Sequence, residues 1–153
     1  MDSPDFDTIA STGQLFMGTT GCGDNTTLGI GTSLDESSGG LIETDNDVGG
    51  ARAISGGITN DGTVNIDTNT TYSSGTWDNA GPLNIATGET LTFSTSTPAS
   101  AFTDDTGGSV SSPSSGTGQL VIDSGNTYNQ GNGTTSDEPV LLAACLLYTS
   151  RCV

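Results

Sequence analysis

The chain has no lysine and no histidine, and its 153 residues include two arginines against 18 acidic residues. Without lysine there is no lysine-containing phosphate loop, and without histidine there is no Ser–His triad, Cys–His nucleophile or histidine zinc site. A formal charge of −16 repels nucleic acid and anionic lipid, so neither is expected as a partner. The acidic residues are spread along the chain without forming a long run, which is typical of a solvated surface.

Apolar residues are scarce as well: 31% of the chain is hydrophobic and 5% is aromatic. This approaches the composition of disordered chains, but here Leu, Ile, Val, Trp and Phe are regularly spaced between Gly and Asn turns. No segment has the 3–4 spacing of an amphipathic helix. The apolar run 140–148 is nine residues long, whereas a membrane span takes about 20. We therefore expect short strands and no membrane insertion.

Two segments, 58–66 and 77–85, match at an offset of 19 residues. The shared positions are large apolar, Asn, Gly, aliphatic, Asn and Ile: Ile58, Asn60, Gly62, Val64, Asn65 and Ile66, then Trp77, Asn79, Gly81, Leu83, Asn84 and Ile85. A unit this short cannot bury its own apolar side chains, so it must stack on a copy of itself. The repeat predicts an all-β fold, a β-solenoid built from stacked rungs.

The repeated polar residues are predicted to have structural roles at one corner of the rungs. Asparagine tolerates left-handed backbone there, and its amide can bond the equivalent amide in the next layer. The predicted ladders join equivalent asparagines: Asn60 with Asn79, and Asn65 with Asn84. Gly62 and Gly81 are predicted to supply positive φ at the same corner.

The organisation along the chain is uneven. Residues 1–50 are predicted to form an irregular Gly-rich opening segment or distorted rungs, and residues 51–144 to form the solenoid. Within the solenoid, Leu91 and Phe93 alternate with threonine, as expected for a strand with one buried face.

The final segment, Cys145–Val153, breaks from this composition. It resembles the translation of a transposase sequencing adapter joined to its reverse complement, so residues 145–153 are expected to be non-native and not part of the fold. Without them, Cys22 is a lone cysteine and cannot form an internal disulfide. We expect a fragment whose ends stack on flanking rungs of a longer protein.

Paired carboxylates occur at 35–36, 104–105 and 137–138. Neighbouring residues of a strand point to opposite faces, so these pairs are expected to be solvated loop charge and not catalytic pairs. A β-helical polysaccharide lyase also needs a basic residue, and Arg52 is the sole candidate. No catalytic residue is predicted.

Acidic and amide oxygens also cluster at 24–25, 45–47 and 104–105, which are calcium-type ligands. None repeats at the nine-residue spacing of calcium-binding β-rolls, and none fits the twelve-residue helical loop. No metal site and no cofactor is predicted.

Residues 56–142 resemble the repetitive surface proteins of bacteria, including autotransporter passengers and filamentous-haemagglutinin-like β-helices. The resemblance is carried by four phrases: 58–66, 83–93, 116–122 and 127–133. It implies a right-handed parallel β-helix, export, an extracellular or cell-surface location, and service as an adhesin or structural rod. The implied partner is a host or cell-surface glycan or protein.

Two alternatives stay open at this point. One is a β-helical carbohydrate-active enzyme, a polysaccharide lyase or glycosidase, with acids on one face. The other is a cation-stabilised surface-layer element.

Overall fold

A computed structural model describes residues 8–18, 23–45, 50–94, 97–112, 117–136 and 140–142. Within these ranges the chain forms sixteen β-strands and no helix. The strands are β1 Thr8–Ile9, β2 Gln14–Met17, β3 Thr26–Glu36, β4 Leu41–Thr44, β5 Arg52–Asn60, β6 Thr63–Ile66, β7 Thr70–Tyr72, β8 Thr76–Asn79, β9 Pro82–Ile85, β10 Thr90–Phe93, β11 Ala101–Asp104, β12 Ser109–Ser111, β13 Gln119–Ile122, β14 Thr127–Gln130, β15 Thr134–Ser136 and β16 Val140–Leu142. The adapter-like segment, Cys22 and the acid pair at 137–138 lie outside the described residues.

The strands pair in parallel and stack as three faces of a coil. Face I contains β2, β4, β6, β9, β12 and β15. Face II contains the first halves of β3 and β5 with β7, β10, β13 and β16; face III contains β1, the second halves of β3 and β5, β8, β11 and β14. The chain visits the three faces in turn. The predicted parallel β-solenoid is confirmed, and its right-handed coil stays a prediction.

The 19-residue offset is the distance along the chain between two adjacent layers. Ile58 lies beside Trp77 on face III, and Ile66 lies beside Ile85 on face I. Other layers are separated by more residues: Leu91 lies beside Leu120, 29 positions later. The extra residues lie in the connections between strands. The strands therefore stay paired in register although the number of residues per layer changes.

Alternation along each strand places one set of side chains inside the coil. Leu91 and Phe93 are fully buried, whereas Thr90 and Thr92 are half-buried, as the alternation predicts. Five inward aromatic rings pack along the coil, with neighbouring centroids 4.5 to 6.3 Å apart: Tyr72, Trp77, Phe93, Phe102 and Tyr128. Each layer therefore seals the apolar interior of the next.

Positive φ occurs at the corner between faces II and III. Gly56 and Gly75 have φ of 106° and 108°, and a Cβ on Gly75 would lie 2.4 Å from the carbonyl oxygen of Gly56. One layer back, β3 passes this corner with a register shift between Gly29 and Ser33. Gly39 and Gly107 have positive φ at the corner between faces III and I, which is also the corner of the repeated Gly62 and Gly81.

Candidate functional site

A column of polar side chains runs along the inside of the corner between faces III and I. Each member is the last inward residue of its strand on face III, and the layers pair them in order: Glu36, Asn60, Asn79, Asp104 and Gln130. The first four are at most 1% exposed, and Gln130 is half-buried. These five residues form the polar column. Because buried polar groups are costly without partners, its hydrogen bonds decide what it can do.

The side-chain amides of the column all donate toward Asp104. Asn60 Nδ2 donates to Asn79 Oδ1 at 2.8 Å, and Asn79 Nδ2 donates to Asp104 Oδ1 at 3.1 Å. From the next layer, Gln130 Nε2 donates to Asp104 Oδ2 at 3.2 Å. Asp104 accepts at both oxygens, which suits an ionised carboxylate. The amide ladder expected between Asn60 and Asn79 is present.

Backbone carbonyls of face I fix the orientation of the two central amides. Asn60 Nδ2 lies 3.5 Å from the carbonyl oxygen of Pro82, and Asn79 Nδ2 lies 3.4 Å from that of Ser109. A carbonyl accepts and cannot donate, so it favours the NH₂ side of each amide at that position. The amide oxygens therefore face the Glu36 end of the column.

The two carboxyl groups of the column are both buried. Burial raises the pKa of Glu36 to about 7, although the backbone amides of Thr63 and Ile42 lower it. Burial likewise raises the pKa of Asp104, against the lowering effect of the hydrogen bonds from Asn79 and Gln130. Glu36 Oε1 accepts from the Thr63 amide at 3.2 Å, but Glu36 Oε2 and Asn60 Oδ1 have no hydrogen-bond partner.

Glycines line the corner next to the column because a side chain does not fit there. A Cβ on Gly62 would approach Glu36 Oε1 to 2.7 Å, and one on Gly81 would approach the carbonyl oxygen of Gly62 to 2.1 Å. Neither glycine has positive φ, so that prediction is wrong and close approach is the reason for them. Asn60 and Asn79 end strands β5 and β8 in extended backbone, so the left-handed conformation proposed for them is wrong too.

The second asparagine pair forms a separate ladder on the outside of face I. Asn84 Nδ2 donates to Asn65 Oδ1 at 3.0 Å, and Ser111 Oγ donates to Asn84 Oδ1 at 2.8 Å. Both asparagines are half-buried and lie within strands, not at a corner. The predicted bond is present, but the predicted placement of this pair is wrong.

The acid pairs are split between the inside and the outside of the coil. Asp35 and Asp105 are exposed, whereas Glu36 and Asp104 are buried. Adjacent acids thus point to opposite faces, as strand geometry predicts. The expectation that both members are solvated loop charge is wrong for Glu36 and Asp104.

Arg52 is also inside the coil, with 1% of its surface exposed. Its guanidinium donates to three backbone carbonyl oxygens, those of Met17 at 2.9 Å, Asp45 at 3.1 Å and Gly50 at 3.2 Å. A lyase would need this guanidinium to face a sugar. In this chain it points inside the coil and binds backbone carbonyls.

Two of the predicted calcium-type ligands, Asn25 and Asp104, bind other groups of the protein. Asn25 Oδ1 accepts from the backbone amide of Ala51 at 2.8 Å, and the oxygens of Asp104 are bound within the polar column. Positions 46 and 47 lie outside the described residues. Among the described residues, no group of three or more acidic, cysteine or histidine side chains could hold a metal ion.

Sequence reasoning found Asn60 and Asn79 but missed the other three members of the column. Each member lies two residues after a large inward side chain, in the pairs Leu34/Glu36, Ile58/Asn60, Trp77/Asn79, Phe102/Asp104 and Tyr128/Gln130. A glycine precedes the following strand in every case. The sequence signal for the column is a large apolar residue, any residue, a polar residue of variable type, and then a glycine immediately before the next strand.

No family model, curated protein or solved structure matches this chain. In the part of the chain that the structure describes, no helix has the length and apolar character to cross a membrane.

Proposed function

We propose that this chain is part of an extracellular bacterial repeat protein that acts as an adhesin or a structural surface rod. The observation that carries the proposal is the continuous pairing of layers on three faces, with apolar side chains filling the interior. Such a coil grows by adding layers, and each layer adds length and outer surface without needing a larger core. A coil of this kind is suited to presenting a binding surface or to holding other parts of a surface protein at a fixed distance.

The outward side of face III supports a binding role. Its side chains align in register from layer to layer as Asp35, Thr59, Asp78, Thr103 and Asn129. Stacked parallel strands are about 4.8 Å apart, so short polar groups recur along the face at that interval. Repeated hydroxyl, amide and carboxylate groups suit many weak hydrogen bonds to a glycan or an extended protein. The formal charge of −16 keeps separate rods apart.

The competing hypothesis is a β-helical carbohydrate-active enzyme. The acid of such an enzyme would have to come from residues other than Asp104, because that carboxylate is buried between Asn79 and Gln130. Its base would have to come from a residue other than Arg52, because Arg52 is also buried and binds backbone carbonyls. The surface-rod proposal needs neither group to be accessible.

Binding and turnover assays on the same ligands separate the two hypotheses. The purified chain is applied to arrays of glycans and extracellular matrix proteins, and any retained glycan is assayed for new reducing or unsaturated ends. We expect retention without cleavage. Cleavage of a retained glycan would contradict the proposal.

Matched surface variants locate the binding face. A triple variant of Thr59, Asp78 and Thr103 to alanine removes the middle three members of the outward polar row of face III. A double variant of Thr71 and Thr92 to alanine removes a paired row on face II. Both should keep the wild-type melting temperature within a few degrees, since these side chains lie outside the core. Loss of retention in the face III variant and not in the face II variant is the expected result. Equal retention by all three proteins, or loss in the face II variant alone, would contradict binding through face III.

A further inference from the structure

Two buried oxygens without hydrogen-bond partners occur on neighbouring members of the polar column. They are Glu36 Oε2 and Asn60 Oδ1, and their residues pair in register on β3 and β5. An amide oxygen only accepts, and an ionised carboxylate oxygen only accepts. Two buried acceptors on adjacent layers, each without a hydrogen-bond partner, destabilise the fold because neither oxygen regains the hydrogen bond that it makes to water in the unfolded chain.

Turning the asparagine amides around does not supply the missing donor. A reversed Asn60 would place its oxygen against the carbonyl oxygen of Pro82, and a reversed Asn79 would do the same at Ser109. Reversing Asn79 would also remove its bond to Asp104. Within the column, the group that can still carry a donor toward Asn60 Oδ1 is the Glu36 carboxyl in its protonated form.

We propose that Glu36 is the protonated member of the polar column and Asp104 the ionised member, so that one proton completes the column and holds the layers together more firmly in mildly acidic medium. The proton lies on Glu36 Oε2 and is donated to Asn60 Oδ1. Donation then runs in one direction from Glu36 through Asn60 and Asn79 to Asp104, and every polar atom of that path has a partner.

The charged side chains around Glu36 leave this assignment in place. Asp35 on its own strand is exposed, Glu43 on β4 lies on the outward side of face I, and Asp61 follows β5 at an exposed corner. Arg52, at the other end of β5, lies on face II and binds backbone carbonyls. On the β1 side the neighbour in register is the apolar Ile9. Among the described residues, no basic side chain bonds to the Glu36 carboxyl to hold it ionised.

The charged groups near Asp104 are also acidic. Asp105 follows it at the exposed corner and raises its pKa, and Asp78 on β8 faces outward. The ionised state of Asp104 therefore depends on the donors Asn79 and Gln130.

The sign of the pH effect follows from the two states of Glu36. Its pKa is about 7 in the folded chain against an ordinary value of 4.5. The folded chain therefore binds this proton more tightly than the unfolded chain. The resulting stabilisation is fully present below pH 4.5 and is lost as the pH rises through 7. The loss corresponds to a folding equilibrium constant lower by on the order of 100-fold.

The test compares the wild type with Glu36→Gln and Asp35→Asn in urea titrations from pH 4.5 to pH 8.5. Glutamine keeps a permanent N–H donor toward Asn60, so E36Q should lose the pH-dependent step of about 100-fold that Glu36 contributes. D35N removes an equal charge from the adjacent exposed position and should keep the step. A step of the same size in E36Q as in the wild type would overturn the proposal.

Carbon-13 NMR of the glutamate side-chain carboxyls decides the matter even if E36Q does not fold. The chain has four glutamates, so the resonances are few. Glu36 should titrate near pH 7 and should be protonated at pH 5.5. A Glu36 carboxyl that is ionised at pH 5.5 would refute the assignment.

Discussion

The side chains of Asn60 and Asn79 are joined by a 2.8 Å hydrogen bond between adjacent layers, and both are fully buried. A slip of one residue on either strand would turn its asparagine to the outside and its neighbour, Thr59 or Asp78, to the inside. The bond therefore specifies the register of the two layers more strictly than the packing of the surrounding apolar residues alone would.

Replacing Asn79 with alanine should destabilise the fold by about 2–4 kcal/mol, because it leaves the Asn60 amide and Asp104 Oδ1 without their partners inside the core. The matched control is Asn84→Ala, which removes the equivalent bonds on the outer side of face I, where water can replace them. That variant should lose less than about 1 kcal/mol. Urea unfolding at pH 7 measures both. Equal losses would contradict a special role for the buried column.

Replacing Trp77 with alanine should cost about 3–5 kcal/mol, since its fully buried ring packs against three other aromatic rings and the layers cannot close on the cavity. Thr76→Ala, one residue earlier and exposed, is the control and should change stability by less than about 0.5 kcal/mol.

Trypsin provides a direct readout for this pair. Arg52 is the single trypsin site among the described residues and is buried, so cleavage after it reports the unfolded fraction. Cleavage of Trp77→Ala at the wild-type rate in moderate urea would contradict the predicted loss.

Replacing Gly81 with alanine should destabilise the fold by about 1–3 kcal/mol, because the new Cβ would lie 2.1 Å from the Gly62 carbonyl oxygen and the backbone must shift. Gly29→Ala is the control, since the nearest atom to its Cβ is 4.0 Å away and its φ is not positive. That variant should be neutral or gain up to about 1 kcal/mol by restricting the unfolded chain. Melting temperatures of the two variants at one pH test the contrast.

The sequence alone predicted the solenoid because the segment that crosses from face III to face I has the same length in two adjacent layers, 58–66 and 77–85. Asn60 and Asn79 are 19 residues apart and are both asparagine, so the repeat is visible. The next steps of the column are 25 residues to Asp104 and 26 residues to Gln130, and each changes the residue type. Loops of unequal length and exchangeable polar side chains hide the period, although the register of the strands continues.

The inside or outside position of single polar residues could not be predicted in the same way. Glu36 and Arg52 look like surface residues because charged side chains are seldom fully buried. Their burial depends on partners that are distant in sequence: the Met17 carbonyl 35 residues from Arg52, and the Thr63 amide 27 residues from Glu36. The 19-residue repeat of 58–66 and 77–85 gives no information about these distant partners.

Replacing Asp104 with asparagine should destabilise the fold by about 1–3 kcal/mol at pH 7, because one oxygen becomes an NH₂ group that faces a donor of Asn79 or Gln130. Burial raises the pKa of Asp104 above 3.8, so the wild type gains stability when the pH falls through that raised value, and D104N lacks this gain. The stability difference between the two proteins should therefore be larger at pH 3.8 than at pH 7. Asp105→Asn, one residue later and exposed, is the control and should follow the wild type. Urea unfolding at the two pH values measures all three proteins, and a D104N protein as stable as the wild type at both would contradict an acceptor role for this carboxylate.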